Sequence, residues 1–466
     1  MTTDLLAWDE DDQTPDPEAE YRMLLNGLRR TEGFGLFFVQ CSPFGGEQII
    51  QRVRNDLATQ PVEVLTLGEP LADGNVFKCI KQFLDDHAGT QILFVQGLEL
   101  SLLDYEESKK RLGWSSEKIF SYSWHGVPPV LINLNQQRER FRDSFATRIV
   151  FLLPVFAVKY LVHRAPDFFD WRSGVAQIAD DTATLSRESR RLWLEGDYEQ
   201  YLSWTQEQRN RRILEIQSLL EAEGLDEQER VNLYSEQGNL FAASTEWEAV
   251  IAAYDAAISI QLDDHQALSN KGVALRNLGR YEEAIAAYDA AIAIKPDKHD
   301  ALNNKGNALC NLGRYEEAIA AFEAAIAIQP DYHKALNNKG VALDELGRHE
   351  EAIAAYDAAI AIKPGDHRVL GLKGYALDSL GRYDEAIAAY DAAIAIKPDD
   401  PSPFYNKACA YALQGTVEPA LENLKRAIHI NPEKYRKMAK TDTDFAPLRT
   451  DERFQALIEG DGGVGK

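Results

Sequence analysis

The chain has 466 residues, 45% of them hydrophobic, and 74 acidic against 50 basic residues leave a formal charge of −24. That is two or three domains' worth of ordinary globular composition, and so acidic an average surface argues against phosphate-backbone binding to nucleic acid as the main activity. The four cysteines, Cys41, Cys79, Cys310 and Cys409, are scattered and show no CxxC or Cys/His ligand spacing, which speaks against a disulfide framework or a structural zinc site and for a reducing compartment. The first segment, 1–30, opens with MTTDLLAWDEDD, acidic where a secretory signal would be basic. The longest apolar stretch, Ile149 to Val158, is about half a membrane span. The expectation is a cytoplasmic protein with no membrane partner.

From Gly33 to about Pro154, short apolar runs alternate with helical stretches, the pattern of a parallel α/β sheet. GLFFVQC, VEVLTL, QILFVQ and RIVFLL are the expected strands, with helices at Glu47 to Ala58, Asn75 to Asp86 and Val130 to Phe145. This layout over 31–178 resembles a P-loop nucleotide-hydrolase core of the AAA or STAND kind. NLNQQRERF followed by RIVFLLPVFAVKYLVHRAPDFFDWRSG is similar to the domain that precedes repeat arrays in some bacterial, notably cyanobacterial, proteins.

The resemblance implies a phosphate loop after the first strand, and CSPFGGEQ stands there. Aligned to G-x-x-x-x-G-K-S/T it offers Cys41, Gly46, Glu47 and Gln48, so a glutamate replaces the phosphate-binding lysine and Gln48 lacks the magnesium-ligating hydroxyl. Two unit charges 4 Å apart interact by about 4 kcal/mol at an effective dielectric of 20, so reversing that sign is a large handicap to triphosphate binding. The third strand ends in Gln96 and Gly97 where an acidic pair is needed, with Glu99 two residues late. The expectation is a degenerate, non-catalytic domain without a cofactor. Gly45, Gly46, Glu47 and Gln48 form the degenerate loop, and the glycine amides at a helix start leave weak nucleotide binding open. Cys41, His125 and His163 carry no signature that joins them as a nucleophile and base. SLLDYEESKKRLGWSSEK and the following GVPP read as a long surface loop in which Trp114 and Trp124 either anchor a partner or fold back onto the sheet.

Residues 179–230 read as a helical linker. Arg187, Arg190, Arg191, Arg209, Arg211 and Arg212 make it the most basic part of the chain, and their neighbours Glu188, Glu195, Glu207 and Glu215 suggest a salt-bridged surface.

Beyond it Gly238, Gly272, Gly306, Gly340 and Gly374 recur at a spacing of 34, continued by Ala408. A period of that length means paired helices stacked into a solenoid. In KGVALRNLGRYEEAIAAYDAAIAIKPD, Leu268, Leu275 and Leu278 stripe a first helix and Ile285, Tyr288 and Ile292 a second, while Gly279 separates them. Small residues at Gly272, Ala284 and Ala291, large ones at Leu268, Leu275, Tyr281 and Tyr288, and a helix-ending Pro296 together resemble the tetratricopeptide repeat, TPR. Six units run over 231–434, and 435–466 reads as a capping segment with Phe445, Leu448, Phe454 and Leu457 as its apolar face and a frayed DGGVGK end.

The TPR resemblance implies that the first helices line a concave groove that takes peptides. The groove candidates are Asn270, Arg276, Asn303, Asn304, Asn307, Asn337, Asn338 and Arg368. Asparagine amides can bond the main chain of an extended peptide, or can bond one another between repeats. The carboxylate clamp of chaperone-binding members is incomplete, with Asn303 and Leu372 in place of a lysine and an arginine. His265, His299, His333 and His367 repeat at one position, but stacked helices about 8 to 10 Å apart keep them from sharing a metal ion. The functional expectation is a non-catalytic scaffold or adaptor, with a peptide or protein in the TPR groove and a second partner on the α/β domain. The alternative is a nucleotide-dependent, STAND-like switch with an atypical phosphate site. The oligomeric state stays open.

Overall fold

The computed structural model describes residues 16–102 and 127–459. They fall into two compact units divided between Ala249 and Val250, inside the first of the six expected repeats. Trp114, Trp124, His125, most of the long loop, the acidic N-terminal start and the glycine-rich end lie outside the described residues.

In the first unit the four apolar runs form β1 (Gly35–Gln40), β2 (Val62–Thr66), β3 (Ile92–Gln96) and β4 (Arg148–Leu153). A fifth strand, β5 (Gly174–Gln177), joins them in the order β2-β3-β4-β1-β5, with every neighbouring pair parallel. A parallel sheet is covered on both faces, which is why β1 and β4 are buried at every residue and read as unbroken apolar runs. Alternate residues serve opposite cores. Leu36, Phe38, Leu93, Val95, Ile149 and Phe151 pack under α3 (Val76–Asp86), α4 (Pro129–Ser144) and α5 (Val155–Arg164). Phe37, Val39, Ile92, Phe94, Val150 and Leu152 pack under α1 (Pro17–Arg30) and α2 (Pro43–Asp56). β5 is an edge strand of four residues beginning with glycine, too short for a periodic signal, and Glu20 of α1 accepts from the Gln177 N–H at 2.9 Å to blunt that edge.

The chain leaves β1 toward β2 on one side and returns to β5 on the other, so β1 ends at the point where strand order reverses. Crevices for ligands in open α/β sheets form at such carboxyl ends.

The linker forms α6 (Thr182–Leu194), α7 (Tyr198–Ser203) and α8 (Gln206–Leu220), and with α9 (Glu227–Ala243), where the first expected repeat begins, these helices share a small core of their own around Leu192, Tyr201, Ile216, Leu219 and Leu233. The expected ion pairs are present: Arg191 meets Glu188 at 2.8 Å and Glu195 at 3.0 Å, and Arg212, itself buried, meets Glu195 at 3.0 Å.

Helix α10 (Trp247–Ile260) leads into four complete pairs: α11 (His265–Asn277) with α12 (Tyr281–Ile294), α13 (His299–Asn311) with α14 (Tyr315–Ile328), α15 (His333–Glu345) with α16 (His349–Ile362), and α17 (His367–Ser379) with α18 (Tyr383–Ile396). A further pair, α19 (Pro401–Leu413) and α20 (Val417–Ile430), precedes the tail helices α21 (Pro432–Thr441) and α22 (Glu452–Glu459). Each of the four complete pairs closes because its first helix carries glycine opposite a ring: a Cβ on Gly340 would lie 2.5 Å from Tyr356. Gly347, at φ +73°, makes the turn between α15 and α16. First helices also touch the first helices of neighbouring pairs, as expected of the inner row of a curved stack. Tyr435, Phe445, Leu448 and Phe454 cover the last pair, with Leu457 partly buried against them. All four cysteines are free, and among the described residues no helix is long and apolar enough to cross a membrane.

Candidate functional site

Two places in the molecule carry unusual chemistry: the carboxyl end of the sheet and the inner row of the repeats. At the first, Ser42 caps α2 and Pro43 starts it, so the loop aligned with a phosphate cradle is mostly helix. The Gly45 N–H donates to Ser42 Oγ at 2.9 Å and the Gly46 N–H to the Ser42 carbonyl at 3.0 Å. Gly45 has room for no side chain because Asp180 stands against it, 2.3 Å from where a Cβ would be. Burial raises the Asp180 pKa, while a hydrogen bond from Ser42 opposes that shift. The head of α2 therefore already faces a carboxylate from its own chain. Glu47 is exposed, and Gln48 reaches Thr184 Oγ1 at 3.4 Å.

Beside this turn lies a cavity of about 250 Å³ lined by residues at the ends of β1 to β4, including Cys41, Thr66, Gln96 and Leu152, and by Arg211, Leu214, Glu215 and Ser218 of α8. Gly97, at φ +89°, turns the chain sharply after β3, and a Cβ there would strike the Leu67 carbonyl at 2.1 Å. That turn directs Glu99 to the cavity wall. Burial pushes the Glu99 pKa up to about 7 against the pull of its own and the Gly97 N–H and of Arg211, and its Oε2 is buried with no partner. Burial likewise raises the Cys41 thiol, aided by Asp180 and Glu99, which makes it a poor nucleophile.

In the repeats, the predicted groove residues divide. Asn338 on α15 donates to Asn303 at 3.0 Å and to Asn307 at 2.9 Å on α13, so these three amides bond one another across a repeat boundary. Asn303 is buried. Asn270 donates to the Tyr254 hydroxyl at 3.1 Å. Asn337 leans on Asn338 at 3.4 Å and leaves its Oδ1 buried without a partner. Asn304 and Arg276 are half-buried and Arg368 is exposed. The four histidines each open a first helix, one repeat apart. Among the described residues the one group with metal-ligand spacing is instead Cys409, Asp442 and Asp444.

Residues 303–367 match a tetratricopeptide-repeat model, and residues 272–313 and 374–415 match a TPR-repeat model. The C-terminal array is built of tetratricopeptide repeats. Among solved structures it is similar to the MamA protein, at 25% identity and a TM-score of 0.35 over 37% of this chain and 94% of that one. YrrB, reported as a TPR protein with an unusual peptide-binding site, matches at 27% identity and a TM-score of 0.36 over 41% and 98% of the two chains. The pilF protein of Pseudomonas aeruginosa matches at 16% identity and a TM-score of 0.40 over 46% and 98%. No curated protein matches the chain.

The TPR units differ from one another at positions that matter. Arg276, Cys310, Asp344 and Asp378 occupy one equivalent site, and the ring facing it changes in step. Asp344 accepts from the Tyr356 hydroxyl at 2.8 Å and pairs with His349 at 3.0 Å, whereas the Tyr288 hydroxyl, in the unit with Arg276, is buried without a hydrogen-bond partner. The unit with Cys310 has Phe322, which needs no partner. One exposed aromatic was missed from sequence: Tyr375, 55% exposed, sits where the other units have Val273, Asn307 and Val341. Its signal was the break in repeat identity.

Proposed function

We propose that this chain is a non-catalytic cytoplasmic adaptor whose TPR inner row holds an extended peptide or protein segment, while the α/β unit serves a second partner. Tyr375 carries the proposal: a large ring is left 55% exposed on an otherwise repetitive scaffold, and aromatic side chains dominate binding hot spots. Arg368, earlier on the same helix α17, and Asn304, on the first helix two repeats before it, add polar anchors. Asn303, Asn307 and Asn338 hold adjacent repeats in register behind them. The nucleotide-switch alternative is disfavoured by the carboxylate of Asp180 at the head of α2 together with Glu47 in place of lysine.

The test is selection of binders from a displayed random-peptide library by the full chain, followed by titration against Tyr375→Ala and Arg368→Ala. Truncating a hot-spot aromatic costs about 2 kcal/mol or more, roughly a thirtyfold loss. Loss of binding at an unchanged melting temperature supports the inner-row site. Equal binding by all three proteins refutes it.

A further inference from the structure

The cavity at the carboxyl end of the sheet has a lining that suits neither a nucleotide nor a metal ion. Its charged groups are three carboxylates, Glu47, Glu99 and Glu215, against the single guanidinium of Arg211. Arg211 is engaged with the Gly68 carbonyl, and Glu215 is drawn toward Arg212, Arg191 and Arg211. Glu99 is different: the residue is partly buried, and its Oε2 is enclosed yet meets no donor. An unpaired buried acceptor of this kind carries its desolvation cost uncompensated, the more so if charged, so a donor supplied from outside would be held firmly.

A phosphate is repelled by that lining. A divalent ion would need several oxygen ligands converging on one point, and among the described residues the group with such spacing is at Cys409, not here. The walls Leu67, Leu100, Leu152, Leu153 and Leu214 are apolar, and about 250 Å³ exceeds the roughly 30 Å³ that one water occupies.

We propose that this cavity is a binding site for a small organic amine, whose ammonium donates to Glu99 and whose hydrocarbon body lies against the leucine wall. The site is independent of the TPR inner row, so either proposal can fail without the other. A free amine is the ligand inferred here, because Glu99 sits at the ends of the strands against a leucine wall, with its Oε2 buried and not on an exposed surface.

The experiment is calorimetric titration of the full chain with 1,4-diaminobutane and with butylamine, beside inorganic phosphate, Mg-ATP and a capped lysine tripeptide. The expected result is saturable binding of a free amine, with neither phosphate nor ATP binding. Glu99→Gln, which keeps the shape and removes the charge, should weaken the amine by roughly tenfold or more. Ser218→Val, which narrows the cavity from α8, should weaken it too, so the site stays testable if one variant fails to fold. Flat titrations with both amines overturn the proposal, as does binding unchanged in Glu99→Gln. Binding of the lysine tripeptide alone also overturns it, since that would make the site a protein-docking pocket.

Discussion

Arg148 in the sheet and Asn338 in the repeats are both polar groups held inside, and they are satisfied over very different distances along the chain. Arg148 donates to the Gln91 carbonyl, to Gln60 Oε1 at 2.8 Å and to the Leu28 carbonyl at 2.6 Å, up to 120 residues away, while burial lowers its pKa. Asn338 reaches Asn303 and Asn307, 35 and 31 residues back, one repeat and no further. The sheet unit is thus closed by remote partners, whereas the solenoid is a chain of nearest-neighbour interfaces. Damage should spread through the first and stay local in the second.

The strongest way to break that comparison is Phe151→Ala. Phe151 stacks on Phe38 at 5.6 Å and meets Phe168 at 6.1 Å. Its loss should cost about 3–5 kcal/mol, and hydrogen exchange should report lost protection in all five strands together. Loss confined to β4 would contradict the picture of a sheet closed as one unit.

Gly340→Val is the matching test in the array. The new side chain has to displace Tyr356, which costs about 1–3 kcal/mol. Exchange should quicken in α15, α16 and the adjoining pairs while α11 and α12 keep their protection. Uniform loss from His265 to Ile430 would show a cooperative block instead of a one-dimensional stack.

A smaller, pH-dependent effect sharpens the comparison at the capped end. Burial, helped by Asp444, pushes the Asp378 pKa from 3.8 up to about 7, and its Oδ1 is buried without a partner. Asp442, Asp444 and Cys409 crowd the same place. Because the folded pKa lies above the unfolded one, the protonated group favours folding at pH 4, and that contribution is lost as pH rises through about 7. Asp378→Asn should therefore melt higher than the parent at pH 8, with the difference vanishing near pH 4. Parallel melting curves at every pH would count against it.

The least effect is expected from Glu283→Gln. Glu283 meets Arg280 at 2.6 Å on an exposed face, as Glu317, Glu351 and Glu385 meet their arginines. Exposed pairs of this kind are screened by water, so the melting temperature should not move. A measurable drop would mean that the outer ion pairs act as a network.

Most elements were legible because their burial is one-sided in a regular way. Glycine opposite an aromatic ring, as Gly272 opposite Tyr288, recurs in the four complete pairs, and the apolar runs of β1 to β4 are long enough to stand out. β5 was not legible, since GVAQ gains its place only by pairing with β1. The groove candidates all lie on first helices but were not separable by role: nothing local distinguishes Asn338, which bonds two amides, from Asn304, one residue after buried Asn303. Tyr375 could have been found by asking where the copies differ.

The sequence by itself determined the solenoid, because a helix pair with a 34-residue period can bury its apolar stripe only against its neighbours. It also determined the parallel sheet, through runs apolar on both faces. Only the tertiary structure decided the chemistry at the end of the sheet. Asp180 reaches the head of α2 from well over a hundred residues away, and Glu99 is left with one carboxylate oxygen buried and unpartnered only once Gly97 turns the chain and α8 walls the cavity. Such sites depend on which remote side chain fills a given space, and no periodic pattern carries that.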